Sequence, residues 1–172
     1  MSFLLTSSMV TRMRKCFATF FSVLALTMVA PACSHSQPAN ISSWSVQIKT
    51  SGGFIGIGRG NVLVSSDGKM TYVKPGVPGK TGPPCEGKLS TEEVRAISEA
   101  VRQSKPDEWR ISGPNVGAPD AYGYDLELII NGKPHKLQWY DNTQDKLPED
   151  LKKLYETVNS ATREAVKKCG GY

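Results

Sequence analysis

Two runs in the second half of the chain alternate apolar and polar residues with the period of a half-buried strand. Tyr122, Tyr124, Leu126, Leu128 and Ile130 mark the first, and His135, Leu137 and Trp139 the second. Between them stands Asn131-Gly132, a pair suited to the positive φ angles of a type I′ turn, so the two runs predict a hairpin. Its aromatic and aliphatic face should be buried. Asp125 and Glu127 then fall on the opposite face with Lys136 and Gln138. Upstream, Trp44, Val46 and Ile48 alternate against Ser45, Gln47 and Lys49, which predicts a strand over 44–49. Residues 61–65 and 70–74 form another β-prone pair around the turn Ser66-Asp67-Gly68-Lys69.

Two segments carry the helical period instead. Ser90 and Glu93 have capping-box spacing, and Val94, Ile97 and Val101, with Ala100 alongside, make one apolar stripe. Ser98 and Glu99 point away from that stripe and read as a solvated face. This helix should stop before Lys105-Pro106, because a residue preceding proline resists the α conformation. The second helix opens at Pro148, shows a stripe of Leu151, Leu154, Tyr155, Val158, Ala161 and Ala165, and closes at Lys167-Lys168. Residues 105–121 are irregular, with Trp109 expected to close the edge of the core. Asp141 to Asp145 reads as a polar turn.

Glycine interrupts the first half. Ser51-Gly52-Gly53 ends the first strand, and residues 54–57 could re-enter the sheet as a short extended piece. Gly56, Gly58 and Gly60 leave one face without side chains, which suits a loop that meets a partner or a bend crossed by another element. The partner reading assigns contact to Gly53, Phe54, Ile55 and Gly56. The spacing is not that of a dinucleotide fingerprint, and no amphipathic helix follows to hold a phosphate. A long loop from Pro75 through Gly87 follows, broken by four prolines. The order of elements predicts an α+β fold, an antiparallel sheet of four to five strands covered by two helices.

The N-terminal region changes the picture of where such a domain works. Arg12, Arg14 and Lys15 precede an uncharged apolar run of about 14 residues, too short to favour a membrane span. Ala30-Pro31-Ala32 ends it as a small-residue cleavage site, so residues 1–32 read as an export signal peptide whose start could be Met9 or Met13. In one reading Cys33 is acylated, palmitate-bearing, and becomes the first residue of an outer-membrane or periplasmic lipoprotein. In the other, cleavage after Ala32 leaves a free thiol on a secreted protein. Residues 33–43 form a flexible tether, and residues 44–172 a single domain.

Charge and cysteine content narrow the function. The chain carries 21 basic and 16 acidic residues, a net +5. Without Arg12, Arg14 and Lys15 the basic count is 18 against the same 16, or +2, which gives no case for a nucleic-acid partner. Beyond Cys16 and Cys33 remain Cys85 and Cys169. In an oxidising compartment such a pair suggests a disulfide, the alternative being two thiols. With two histidines in the chain and no metal-ligand spacing, no metal site or cofactor is expected. Asp125 and Glu127 are the one carboxylate pair at strand spacing, and pairing across the hairpin with Lys136 accounts for them better than acid–base chemistry. No nucleophile motif appears. The chain therefore reads as a non-catalytic, protein-binding molecule rather than an enzyme.

Four stretches carry a family resemblance: Gly52-Gly53-Phe54-Ile55-Gly56 after the first strand, Leu89-Ser90 at a helix start, Asp120 to Leu126 with Tyr124 in a strand, and Leu147-Pro148 at the last helix. Together they resemble the emfourin family, small proteins that inhibit protealysin and related thermolysin-like metallopeptidases. The resemblance spans residues 46–158. It implies a secreted metallopeptidase as partner and an inhibitory role, with the glycine run at the contact. The chain departs from that compact pattern in its Pro/Gly loop, its cysteine pair and its longer last helix.

Overall fold

In the computed structural model of the chain, the described residues are 40–53, 58–76 and 82–171. The signal peptide, Cys33, most of the tether, Phe54, Ile55 and Gly56 lie outside them. Six strands, β1 (Trp44–Gly52), β2 (Gly60–Ser65), β3 (Lys69–Val73), β4 (Cys85–Lys88), β5 (Tyr122–Ile130) and β6 (Lys133–Tyr140), form one sheet in the order β4-β3-β2-β1-β5-β6. Every neighbouring pair is antiparallel. Helices α1 (Thr91–Gln103) and α2 (Glu149–Lys168) complete the α+β architecture, with short 3-10 turns at Pro106–Glu108 and Asp141–Lys146.

The alternation seen in the sequence sets the layers. Val46, Val64, Met70, Leu126, Leu128 and Trp139 turn to one face and are buried together with Ile97 and Val101 of α1 and Leu151, Leu154 and Val158 of α2. The opposite face carries a row that crosses the sheet through Thr71, Leu63, Gln47, Glu127 and Lys136. There Lys136 Nζ reaches Glu127 Oε1 at 3.1 Å, the cross-strand pair expected for that carboxylate. The β5–β6 turn has Asn131 at φ 49° and Gly132 at φ 83°, the two positive values a tight hairpin needs.

Helix α1 has the expected capping box: Ser90 Oγ accepts from the Glu93 N–H, and Glu93 Oε2 accepts from the Ser90 N–H at 2.7 Å. Ser98 is not on a purely solvated face. Its hydroxyl accepts the Trp44 indole N–H at 3.1 Å and so ties α1 to β1. Trp109 is buried as expected, and its indole and the Lys105 N–H both donate to Asp150 Oδ2, joining the chain after α1 to the start of α2. In α2 the buried stripe runs through Leu151, Leu154, Tyr155, Val158, Thr162 and Val166, whereas Ala161 and Ala165 are only partly buried. Thr162 is accommodated because its hydroxyl donates to the Val158 carbonyl one turn back, at 2.9 Å.

The sheet has six strands, not four or five. The additional strand is β4, whose first three residues fall within the expected loop from Pro75 through Gly87. Its four residues, Cys-Glu-Gly-Lys, hold no apolar alternation. What places it is external. Gly87 pairs with Met70, and a Cβ on Gly87 would stand 2.7 Å from the Met70 methyl. Cys85 is joined to Cys169 by a disulfide with Cα atoms 5.8 Å apart, which fastens this edge strand to the end of α2.

Residues 40–43, assigned above to the tether, are part of the folded body. Asn131 Oδ1 accepts from the Ser42 and Ser43 N–H groups, and its Nδ2 donates to the Asn40 carbonyl at 3.0 Å. The chain thus enters the sheet pinned to the β5–β6 turn.

Candidate functional site at the glycine-loop end of the sheet

β1 and β2 are the two central strands, each paired on both sides. The glycine run joins these two strands at one end of the sheet, and because both are already paired a partner cannot pair with them in the manner of an added strand. Both arms of the loop are clamped. The Gly58 N–H donates to the Gly52 carbonyl at 2.8 Å, and the Gly53 N–H donates to the Ala121 carbonyl at 3.1 Å. Gly58 has φ 70°, and a side chain there would collide with the Thr50 carbonyl oxygen. Gly53 is buried, with φ 79°, and a Cβ on it would stand 2.5 Å from the Tyr122 ring. Of the four residues assigned to partner contact, Gly53 thus positions the loop. Phe54, Ile55 and Gly56 lie between the clamps, outside the described residues.

Tyr122 links the loop to a cavity. The Arg59 guanidinium lies over its ring, 4.4 Å from the centroid. The Arg59 carbonyl accepts from the Tyr72 hydroxyl at 3.1 Å, so this arginine is held at both backbone and side chain. Beyond it, between β1, β2, β5 and α2, is a cavity of about 470 Å³. Ile48 and Val62 line it from the sheet. Tyr155, Asn159, Arg163 and Lys167 line it from α2, spaced four residues apart along a single helical stripe. Tyr124 and Tyr155 line it from an aromatic cluster completed behind them by Trp139: Tyr124 stacks on Trp139 with centroids 5.3 Å apart, and Tyr155 meets both edge-on. Among the described residues, the Trp139 indole N–H is buried without a hydrogen-bond partner.

The electrostatics favour positive charge and neutral phenols. Burial pushes the Tyr155 hydroxyl up to about 12, with Tyr124 adding to the effect, so at neutral pH it keeps its proton and can donate it in a hydrogen bond. For Arg59, burial works against the charge, but the phenols of Tyr124 and Tyr122 outweigh it and hold the guanidinium above its ordinary value. Among the described residues lining the cavity none is acidic. Lys167 is paired with Glu164 at 2.9 Å, whereas Arg59 and Arg163 form no ion pair with a described carboxylate.

Elsewhere the residues singled out in the sequence fall apart chemically. Asp125 and Glu127 lie on the open face of the sheet. His135 is largely buried, with Nδ1 3.4 Å from Asp107 Oδ1, and Lys133 contacts the same carboxylate. No group of three or more His, Cys, Asp or Glu that could hold a metal occurs among the described residues. No helix among them is long and apolar enough to cross a membrane.

Arg59, Tyr122, Asn159 and Arg163 were not anticipated. One sequence signal points to Asn159 and Arg163, the four-residue ladder from Tyr155 to Lys167, whose ends also fit an apolar stripe and a helix terminus. No family model matches the chain, and no curated protein matches it.

Proposed function

We propose that the chain is an exported envelope lipoprotein of non-catalytic, protein-binding type, anchored through Cys33, that meets its partner with the loop between β1 and β2. The observation that carries this reading is the double clamp at Gly52–Gly58 and Gly53–Ala121. Loop ends already fixed by main-chain hydrogen bonds leave less order to be imposed when the loop is engaged, and that lowers the cost of binding. The sequence between the clamps, Phe-Ile-Gly-Ile, supplies apolar contact groups of the kind that dominate interface energetics. Site-specific photo-crosslinking in cells tests it. A discrete adduct from position 55, absent when the probe replaces Leu63 on the open sheet face, supports the loop as the contact. Adducts from both positions, or from neither, sink it.

A second reading is inhibition of thermolysin-like metallopeptidases, in the manner of the emfourin proteins. One feature favours it. Two of the stretches on which the resemblance rests, far apart in sequence, meet at the loop: Gly52 pairs with Tyr122, and Gly53 bonds to Ala121. Titrating thermolysin with the purified protein decides the matter. Inhibition at micromolar protein, lost in Phe54→Ala while thermal unfolding is unchanged, supports it. Absence of inhibition at that concentration removes it.

A further inference from the structure

We propose that the cavity between β1, β2, β5 and α2 is a binding site for a small organic oxyanion, its carboxylate or phosphate held between Arg59 and Arg163 and its apolar body against Ile48, Val62 and Tyr124. The inference does not depend on what the glycine loop contacts.

Four observations converge on it. The volume, about 470 Å³, lies in the range of small-molecule sites. The lining is mixed, with Ile48, Val62 and Tyr124 offering apolar surface and Arg59, Asn159 and Arg163 among those offering polar or charged groups, so it can take both an apolar body and an anionic head. Arg59 is exposed, but its position is supported on two sides. Tyr122 supports its guanidinium and Tyr72 its carbonyl, so its orientation is set before any ligand arrives. Finally, the charges present call for a counter-ion. Among the described residues neither Arg59 nor Arg163 is in contact with a carboxylate, although Arg163 lies near enough to Glu164 to help lower its pKa, and none of the described lining residues is acidic. A guanidinium presents a planar fork of donors that matches a carboxylate or phosphate with two parallel hydrogen bonds. Asn159 and Tyr155, whose side chains hydrogen-bond to each other, lie beside it.

One term opposes an anion here, the negative end of the α2 dipole. It falls off within the last turn, and Arg163 lies more than a turn before Lys168, where α2 ends. Lys167 and Lys168 offset it further.

The ligand could present either oxyanion, and the test separates them. Amide spectra of the isotopically labelled protein are followed while phenylacetate, phenyl phosphate or neutral benzyl alcohol is added. Saturable shifts at Gly60 and Asn159 with at least one anion, and binding of benzyl alcohol weaker by about tenfold or more, are expected. Tighter binding of phenylacetate assigns a carboxylate ligand, tighter binding of phenyl phosphate a phosphate, and equal binding either oxyanion. Arg163→Gln, an exposed change on α2 that leaves the fold's spectrum intact, should weaken the anions by about tenfold and benzyl alcohol little. Shifts that do not saturate with either anion, equal binding of the alcohol, or unchanged anion affinity in Arg163→Gln would each overturn the proposal. The titration uses no protein partner, so its failure and that of the crosslinking or inhibition assays are separate events.

Discussion

Gly58 and Gly132 both sit at positive φ, at 70° and 83°, yet alanine should not be tolerated equally at the two. At Gly132 a Cβ meets nothing within 4 Å, so the cost is conformational alone, about 1 kcal/mol. At Gly58 the Cβ also runs into the Thr50 carbonyl, and the loop clamp must shift, so Gly58→Ala should cost about 2–3 kcal/mol. Urea unfolding of the two variants checks the order. Tyr155 gives a prediction at alkaline pH. Its ordinary value is 10.0, and burial raises it to about 12, so the folded protein holds this proton more tightly than the unfolded chain does. The contribution is fully present below pH 10 and is lost as pH rises towards about 12. Tyr155→Phe should therefore lose less stability than the parent between about pH 9 and about pH 11, measured by urea midpoints at both. Equal losses would mean that the phenol is already ionisable in the folded state.

Among the elements, β4 depends most on something outside itself. It is an edge strand of four residues, and its covalent link to the end of α2 spans 84 positions. The chain-entropy model rates such a closure at about 4.5 kcal/mol. Cys85→Ser with Cys169→Ser should lower unfolding free energy by about that amount under oxidising conditions, and should match the parent in reductant. Amide exchange should quicken first in 85–88, while β1 and β5 stay protected. The same contrast explains which elements could be read from the sequence. The β5–β6 hairpin was legible because Tyr124, Leu126 and Leu128 alternate over a long run and Asn131-Gly132 fixes its turn. β4 was not, since Cys85, Glu86, Gly87 and Lys88 carry no apolar period and are placed by Met70 and by Cys169, both distant in sequence. In α2 the apolar period is plain in the sequence, but it points to Ala161 and Ala165 where the core takes Thr162 and Val166. A threonine looks polar until its hydroxyl is satisfied by the preceding turn. The cavity was least legible. Arg59, Tyr124 and Arg163 belong to three separate segments, and only the fold of the sheet against α2 brings them together.

At the scale of the molecule, the lipoprotein reading makes a prediction about mass. The exported protein should begin at Cys33, carry acyl chains, and weigh two hydrogens less than the reduced sequence, as intact-mass measurement will report. An unacylated chain beginning at the same cysteine would mean ordinary cleavage and a secreted protein. Cys33→Ser should move the protein from the membrane fraction to the soluble one.

Asn131 has a further effect through the residues it holds. It secures the incoming chain at one tip of β1, and the glycine loop leaves from the other. Nine extended residues separate the two, about 30 Å at roughly 3.3 Å each. Any tension transmitted from upstream of residue 40 is thus applied at the pole opposite the loop and is borne along β1, so pulling on the N-terminal side would load the strand pairing of β1 before it reached the loop or the cavity.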